Sequence, residues 1–240
     1  MEFICFTASK GGVGTSQVVA KTAMALSKNG FKCVAVDMHA KRRMLDIYMG
    51  ADDAFVYDIN DVLDGVCSFD DALISISDNL FFMPCSQTRE IENYINAFDL
   101  IYEKAKDFDF VLLDVPYEKC EYNTFSKTVL VTNCDRASIR CTEKLSQDLQ
   151  NCKKYLIINK IDVDLIQSGC HMNVDDICDI CAVSPIGLIP YEPEFFNDIS
   201  STQCMCGSVF ENISHRLNDK YVCAIDFITT KKSKKIFSRR

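Results

Sequence analysis

Apolar residues gather along this chain in short continuous runs rich in Val, Ile, Leu and Phe. They are EFICFT (2–7), CVAVD (33–37), LFFM (80–83), FDFVLLD (108–114), TVLVT (128–132), YLIIN (155–159) and PIGLI (185–189). Runs of this kind, without polar alternation, fit strands buried on both faces of a parallel sheet. Between them lie stretches of helical period. SQVVAKTAMALSKN (16–29) predicts a helix closed by Gly30 as the C′ residue, and TREIENYINAFDLIYEKAK (88–106) predicts another with Thr88 as its N-cap. VDDICDICAV (174–183) predicts a third, with Cys178 and Cys181 on its apolar face. Strand and helix alternate without a Pro/Ser/Gly-rich linker or an internal repeat. The expected fold class is therefore α/β, a three-layer, doubly wound, mostly parallel sheet forming one domain over residues 1–226, followed by a tail at 227–240.

Charge separates the tail from the body. The 240 residues carry 26 Lys+Arg against 34 Asp+Glu, a formal net charge of −8, and six of the basic side chains fall in KKSKKIFSRR (231–240). An acidic body argues against a nucleic-acid surface spread over the fold, because phosphate contacts need clustered Lys and Arg. The tail alone is suited to an anionic membrane or a nucleic acid, and a solvated tail with no partner is the competing reading. No apolar run approaches the ~18 residues of a membrane span, and MEFICFTASK lacks the basic start and longer apolar core of an export signal. A cytoplasmic protein is expected, with the tail permitting a peripheral position at the inner face of the membrane. The 14 cysteines are scattered, and most read as small buried hydrophobes. Cys170-His171, Cys178 with Cys181, and Cys204 with Cys206 have spacings that zinc can use, but the helical period of 174–183 favours core packing there.

The most informative string joins the first strand to the first helix: Ser9-Lys10-Gly11-Gly12-Val13-Gly14-Thr15-Ser16-Gln17. Glycines let backbone N–H groups curl around an anion, the helix N-terminus adds partial positive charge, and the Ser16 hydroxyl suits Mg2+. This string resembles the deviant Walker A motif of the MinD/ParA family of P-loop ATPases, Lys-Gly-Gly-x-Gly-Lys-Ser/Thr. The resemblance implies a P-loop NTPase fold with ATP and Mg2+ as cofactors, the nucleotide being cradled by Gly11, Gly12, Val13, Gly14, Thr15, Ser16 and Gln17. Lys10 matches the signature lysine that reaches across a homodimer to the partner's nucleotide. The second family lysine, which contacts the β- and γ-phosphates, falls on Thr15. A charge-assisted hydrogen bond is worth about 1.5–3 kcal/mol, so its loss weakens binding by roughly ten- to a hundred-fold and impairs hydrolysis further.

The resemblance runs on through VAVDMHAKRRMLDIYMG (34–50), similar to switch I, where Asp37 matches the first aspartate and His39 replaces the second. FDFVLLDVP (108–116) is similar to Walker B with switch II, which makes Asp114 a catalytic and metal-site residue; Tyr117-Glu118 stand where the family has Ala-Gly. The implied catalytic set is Lys10, Asp37 and Asp114, and the implied metal set is Ser16, Asp37 and Asp114. YLIINKID (155–162) and PIGLIPYEP (185–193) resemble the segments that hold adenine, placing Asn159, Lys160, Pro190 and Tyr191 at the base. Together these features imply a nucleotide-dependent switch in intracellular positioning or assembly, with weak or absent hydrolysis and a protein partner that the sequence does not name. The alternative is a pseudo-ATPase interaction scaffold similar to the pilus-localisation proteins TadZ and CpaE.

Overall fold

The computed structural model describes residues 1–40, 42–51, 55–119, 125–149, 152–192 and 206–220. Along the chain these form β1 (Glu2–Thr7), α1 (Thr15–Lys28), β2 (Cys33–Asp37), α2 (Leu45–Met49), α3 (Ile59–Leu63), β3 (Ile74–Ser77), β4 (Leu80–Met83) and α4 (Tyr94–Lys104). There follow β5 (Phe110–Asp114), β6 (Lys127–Thr132), α5 (Arg136–Asp148), β7 (Lys154–Ile161), α6 (Val163–Gln167), α7 (Val174–Cys181), β8 (Pro185–Pro190) and α8 (Cys206–Leu217). The strands make one sheet in the order β3-β4-β2-β5-β1-β6-β7-β8, in which only β3, paired with β4, runs antiparallel. This is the doubly wound α/β class that the apolar runs predict, and all seven of those runs lie on strands. The added strand, β3, escapes the pattern because its ISIS sequence is a short, partly exposed edge.

The pleat sorts each strand's side chains onto two faces. Ile4, Phe6, Ala35, Leu112, Val129 and Ile157 pack with Val19, Ala23 and Leu26 of α1 and with Phe210, Ile213 and Leu217 of α8. Phe3, Cys5, Val34, Val36, Val111 and Leu113 face the other way, against Ala97, Phe98 and Ile101 of α4. Leu130, Leu156 and Ile158 complete that second layer with Ile139 and Leu145 of α5 and Ile177 and Cys181 of α7. Close approach of α8 depends on Gly187, because a Cβ there would lie 2.5 Å from Ile213 Cδ1.

Helix ends follow local chemistry. At the end of α1, Gly30 takes φ 86°, its N–H donates to the Ser27 carbonyl and the Phe31 N–H reaches back to Leu26, a Schellman closure. The second predicted helix starts later than Thr88. Asn93 caps it by accepting from the Asn96 N–H, while Arg89, within the predicted span, turns aside to Asp61 and Asp64. Cys178 and Cys181 lie on α7 as expected, Cys181 buried and Cys178 half-buried. Among the described residues every cysteine is free, no group of three or more His, Cys, Asp and Glu side chains has the geometry of a metal site, and no helix is long and apolar enough to cross a membrane. Cys204, the side chain of Cys206, the boundary at 226/227 and the tail at 231–240 lie outside the described residues.

At the amino end of the strands a buried lysine fastens α8 to the sheet. Lys127, on β6, donates to the Leu217 carbonyl at 2.5 Å and to Asp219 at 3.1 Å, and lies 3.3 Å from Glu2. A cation is favoured there because unpaired carbonyls make a helix C-terminus negative. Lys127→Met keeps the apolar stem but removes these charge-assisted bonds, so unfolding in urea should show a loss of about 1.5–3 kcal/mol. An unchanged midpoint would mean that the contact contributes nothing.

Candidate functional site

The residues singled out in the sequence converge where the carboxyl ends of β1, β2 and β5 meet the start of α1, the usual ligand position in open α/β sheets. There the loop after β1 bounds a cavity of about 420 Å³, walled by Ala8 to Gly12, Gly14 to Gln17, His39, Arg42, Met44, Tyr48, Pro116 to Glu118 and Lys160. Gly12 and Gly14 adopt φ 80° and 94°, the left-handed region that glycine enters without a Cβ penalty. Gly14 also caps α1 without a side-chain partner, so the helix begins with its N–H groups turned toward the cavity. Thr15 and Ser16 are the first two helical residues. The Val13 side chain is buried in the core and contributes only backbone to the loop.

The loop is braced from behind by the end of β7. Asn159 Nδ2 donates to the Val13 carbonyl at 2.8 Å, and Lys160 Nζ donates to the Gly12 carbonyl at 2.8 Å. Gly14 is the contact that makes this brace possible: a Cβ there would stand 2.5 Å from Asn159 Nδ2. Lys160 itself takes φ 54°, and its burial lowers its pKa from the ordinary lysine value.

Lys10 is engaged within its own chain. Its ammonium donates to Asp135 Oδ1 at 2.9 Å and to Ser138 Oγ at 3.2 Å, at the start of α5. Burial opposes ionisation of Asp135, but hydrogen bonds from the Ser138 hydroxyl and N–H and from Lys10 outweigh it and hold the carboxyl down to about 2.

Beneath the cavity, Asp37 and Asp114 end β2 and β5 as register partners, both fully buried. Asp37 Oδ1 accepts from the His39 N–H at 2.8 Å, while Asp37 Oδ2 and both oxygens of Asp114 are buried with no hydrogen-bond partner. His39 Nε2 lies 3.3 Å from Asp114 Oδ1, at ion-pair distance without hydrogen-bond alignment. Burial, and then the Asp114 charge, push the Asp37 carboxyl up to about 7. For His39 burial works against protonation, but Asp114 and then Asp37 prevail and raise its pKa above the ordinary histidine value. Three buried carboxylate oxygens that accept no hydrogen bond, beside the Ser16 hydroxyl at the cavity wall, are the donor set that a hard divalent cation such as Mg2+ takes.

The family model described as cellulose biosynthesis protein BcsQ matches residues 1–173. The septum site-determining protein MinD of Helicobacter pylori is 27% identical over 93% of this chain and 93% of its own length, and that of Synechocystis 28% identical over 94% and 92%. Among solved structures, MinD in the MinC:MinD complex of Aquifex aeolicus superposes with a TM-score of 0.81 at 26% identity, over 95% of this chain and 99% of that one. The chain belongs to the BcsQ family of MinD/ParA P-loop ATPases.

Set beside the MinD/ParA expectations, the structure gathers Lys10, Gly11, Gly12, Gly14, Thr15, Ser16, Gln17 and Lys160 in one cavity wall, with Asp37 and Asp114 directly behind His39. Asn159, to which the MinD/ParA resemblance gives a base-reading role, braces the phosphate loop. Its amide is buried, with Nδ2 donating to the Val13 carbonyl and Oδ1 accepting from the Lys160 N–H, and each end keeps one further hydrogen-bonding position. Pro190 and Tyr191 lie at the end of β8, outside this wall; Tyr191 is half-exposed and its N–H donates to the Ile161 carbonyl. Three residues were missed in the sequence. Arg42 brings a cation to the cavity from a loop whose charge run reads as mere surface, and Asp135 with Ser138 receives Lys10. The Asp-x-x-Ser spacing at 135–138 was the available signal, since it marks a helix cap.

Gly14→Ala should destabilise the protein by about 1–3 kcal/mol through backbone strain and loss of the Asn159 brace. Because Asn159→Ala removes the same brace, the double variant should cost clearly less than the sum in thermal unfolding; strict additivity would separate the two residues. The pH dependence is equally specific. Asp37 has a folded pKa above its unfolded value of 3.8, so it takes up a proton on folding, and stability of the metal-free protein should fall as pH rises from about 4 to about 7. Asp37→Asn should flatten that window in urea titrations and leave more acid conditions unaffected.

Proposed function

We propose that this chain binds a purine nucleoside triphosphate with Mg2+ and uses the bound state as a switch in localised assembly, turning the nucleotide over slowly. The arrangement that carries this reading is the glycine loop and α1 N-terminus facing a cavity beside the buried Asp37–Asp114 pair, three of whose oxygens accept no hydrogen bond. ATP is the nucleotide that the MinD/ParA resemblance implies, and one solved relative, MinD of Pyrococcus horikoshii, is described as complexed with Mg-ADP.

Each part has a definite task. Backbone N–H groups of Gly11 to Ser16 receive phosphate oxygens. Mg2+ would neutralise phosphate charge there, held by Ser16 with Asp37 and Asp114 behind it. Lys10 exchanges Asp135 for phosphate when two chains meet face to face, a trade of one anion for another. Turnover is slow because Thr15 carries no charge to stabilise the transferring phosphoryl group, and because His39, an imidazole drawn to Asp114, replaces a carboxylate that would orient water. Tyr117 and Glu118 occupy the switch II turn in the cavity wall where the family has small residues.

The process served is read more coarsely. The matching family description names cellulose biosynthesis and the MinD relatives are named for septum-site determination, so a partner protein assembled at a defined place in the cell envelope is the common element. The complex of a relative with MinC supports a protein partner.

Sedimentation of the purified chain with and without Mg-nucleoside triphosphate tests the reading. A shift from monomer to dimer that Lys10→Ala abolishes is expected, together with turnover that Thr15→Lys raises at least about ten-fold. Binding that brings neither a dimer nor turnover, even in Thr15→Lys, would favour the interaction scaffold. Rapid turnover by the unaltered chain would overturn the assignment of Thr15 and His39.

A further inference from the structure

A triphosphate held in this site, as the nucleotide reading above requires, brings more negative charge than one Mg2+ neutralises. Among the described residues three cations line the cavity: Lys10, Arg42 and Lys160. Two of them are held by other parts of the chain, Lys10 by Asp135 and Ser138, and Lys160 by the Gly12 carbonyl. Thr15, the first residue of α1, adds a hydroxyl and no charge.

Arg42 is placed differently. It follows the end of β2 in a turn closed by its own N–H, which donates to the His39 carbonyl at 3.2 Å, and it is exposed at the cavity wall. Among the described residues no carboxylate or carbonyl holds its guanidinium. The neighbouring Arg43 shows what a structural arginine does in the same loop. Its Nε donates to Asp46 at 2.8 Å, and its guanidinium carbon lies 4.3 Å from the centroid of the Phe55 ring. One arginine of the pair fixes the loop, and the other is presented to the ligand space.

Position decides which phosphate Arg42 meets. Mg2+ bridges the β- and γ-oxygens of a bound triphosphate, so the donor set of Ser16, Asp37 and Asp114 belongs to the terminal-phosphate end. Arg42 lines the cavity with His39, whose Nε2 is 3.3 Å from Asp114 Oδ1. A guanidinium offers five donors in a planar fork, a geometry that phosphate oxygens accept in pairs.

We propose that Arg42 binds the terminal phosphate of the nucleotide and so replaces, from the loop after β2, the charge that Thr15 does not supply from the start of α1. A long, exposed side chain gains less from the transition state than a group locked into a helix. The arrangement therefore favours holding the triphosphate over transferring its phosphoryl group.

Isothermal titration of the full chain with Mg-ATP and Mg-ADP tests this. Arg42→Ala should weaken Mg-ATP at least about ten-fold, the value of one charge-assisted hydrogen bond, and Mg-ADP clearly less. Arg42→Lys keeps the charge without the fork and should recover part of the loss. Thr15→Lys should tighten Mg-ATP at least about ten-fold in the Arg42→Ala background but clearly less in the unaltered chain, because the two cations serve the same phosphate. Urea unfolding of Arg42→Ala without nucleotide should match the unaltered protein, which separates phosphate binding from a structural role. Mg-ATP bound equally well by Arg42→Ala, an equal loss for Mg-ADP, or the same gain from Thr15→Lys in both backgrounds would overturn the assignment of Arg42 while leaving the nucleotide reading intact. No binding of Mg-ATP by any of these chains would overturn both.

Discussion

Asp37 and Asp114 close neighbouring strands as register partners, and the fold keeps both from water with three of their four oxygens accepting no hydrogen bond. Neighbouring strands are about 4.8 Å apart, and two charges at such a separation repel by about 3.5 kcal/mol at an effective dielectric near 20. The surroundings respond to this burden. The Asp37 carboxyl is driven up toward the neutral range, His39 is drawn against Asp114, and the cavity above is ringed by N–H donors and cations from the loop, Arg42 and Lys160. An acidic protein thereby contains a site for anions, because local geometry and not net charge sets the potential a ligand meets.

The same constraint explains the phosphate loop. It is held in shape by groups distant in the sequence. Asn159 and Lys160 hold two successive carbonyls, and Lys10 is tied across to α5. A ligand entering such a loop meets donors already aimed, which lowers the ordering cost of binding.

Much of the fold was legible from the chain because buried parallel strands leave continuous apolar runs, and seven of eight strands announced themselves that way. β3 did not, since an exposed edge needs no such run. The start of α4 was misplaced because Thr88 and Asn93 are both competent caps, and the contact that decides between them, Arg89 with Asp61 and Asp64, joins residues 25 to 28 positions apart. In the site the glycine loop and the two aspartates could be read in order, since each ends a strand or opens a helix. The partners of Lys10, Asp135 and Ser138, lie 125 and 128 residues away, and the engaged amide of Asn159 depends on a carbonyl 146 residues away. No local pattern encodes such meetings; the topology makes them.

The buried anchor at Lys127 has a geometric consequence. Lys127 and Glu2 stand at the starts of β6 and β1, so Asp219 and Lys220 are pinned at the pole of the molecule opposite the phosphate loop. α1 spans that distance: its first turn forms the floor of the loop, and its far end is bonded by Asn29 to Ser214 of α8 and meets Lys220 through Phe31. Fourteen helical residues make a rod of about 21 Å. The phosphate loop and the Lys127 anchor thus sit at opposite ends of one helical strut, so a strain at either end is carried to the other through α1.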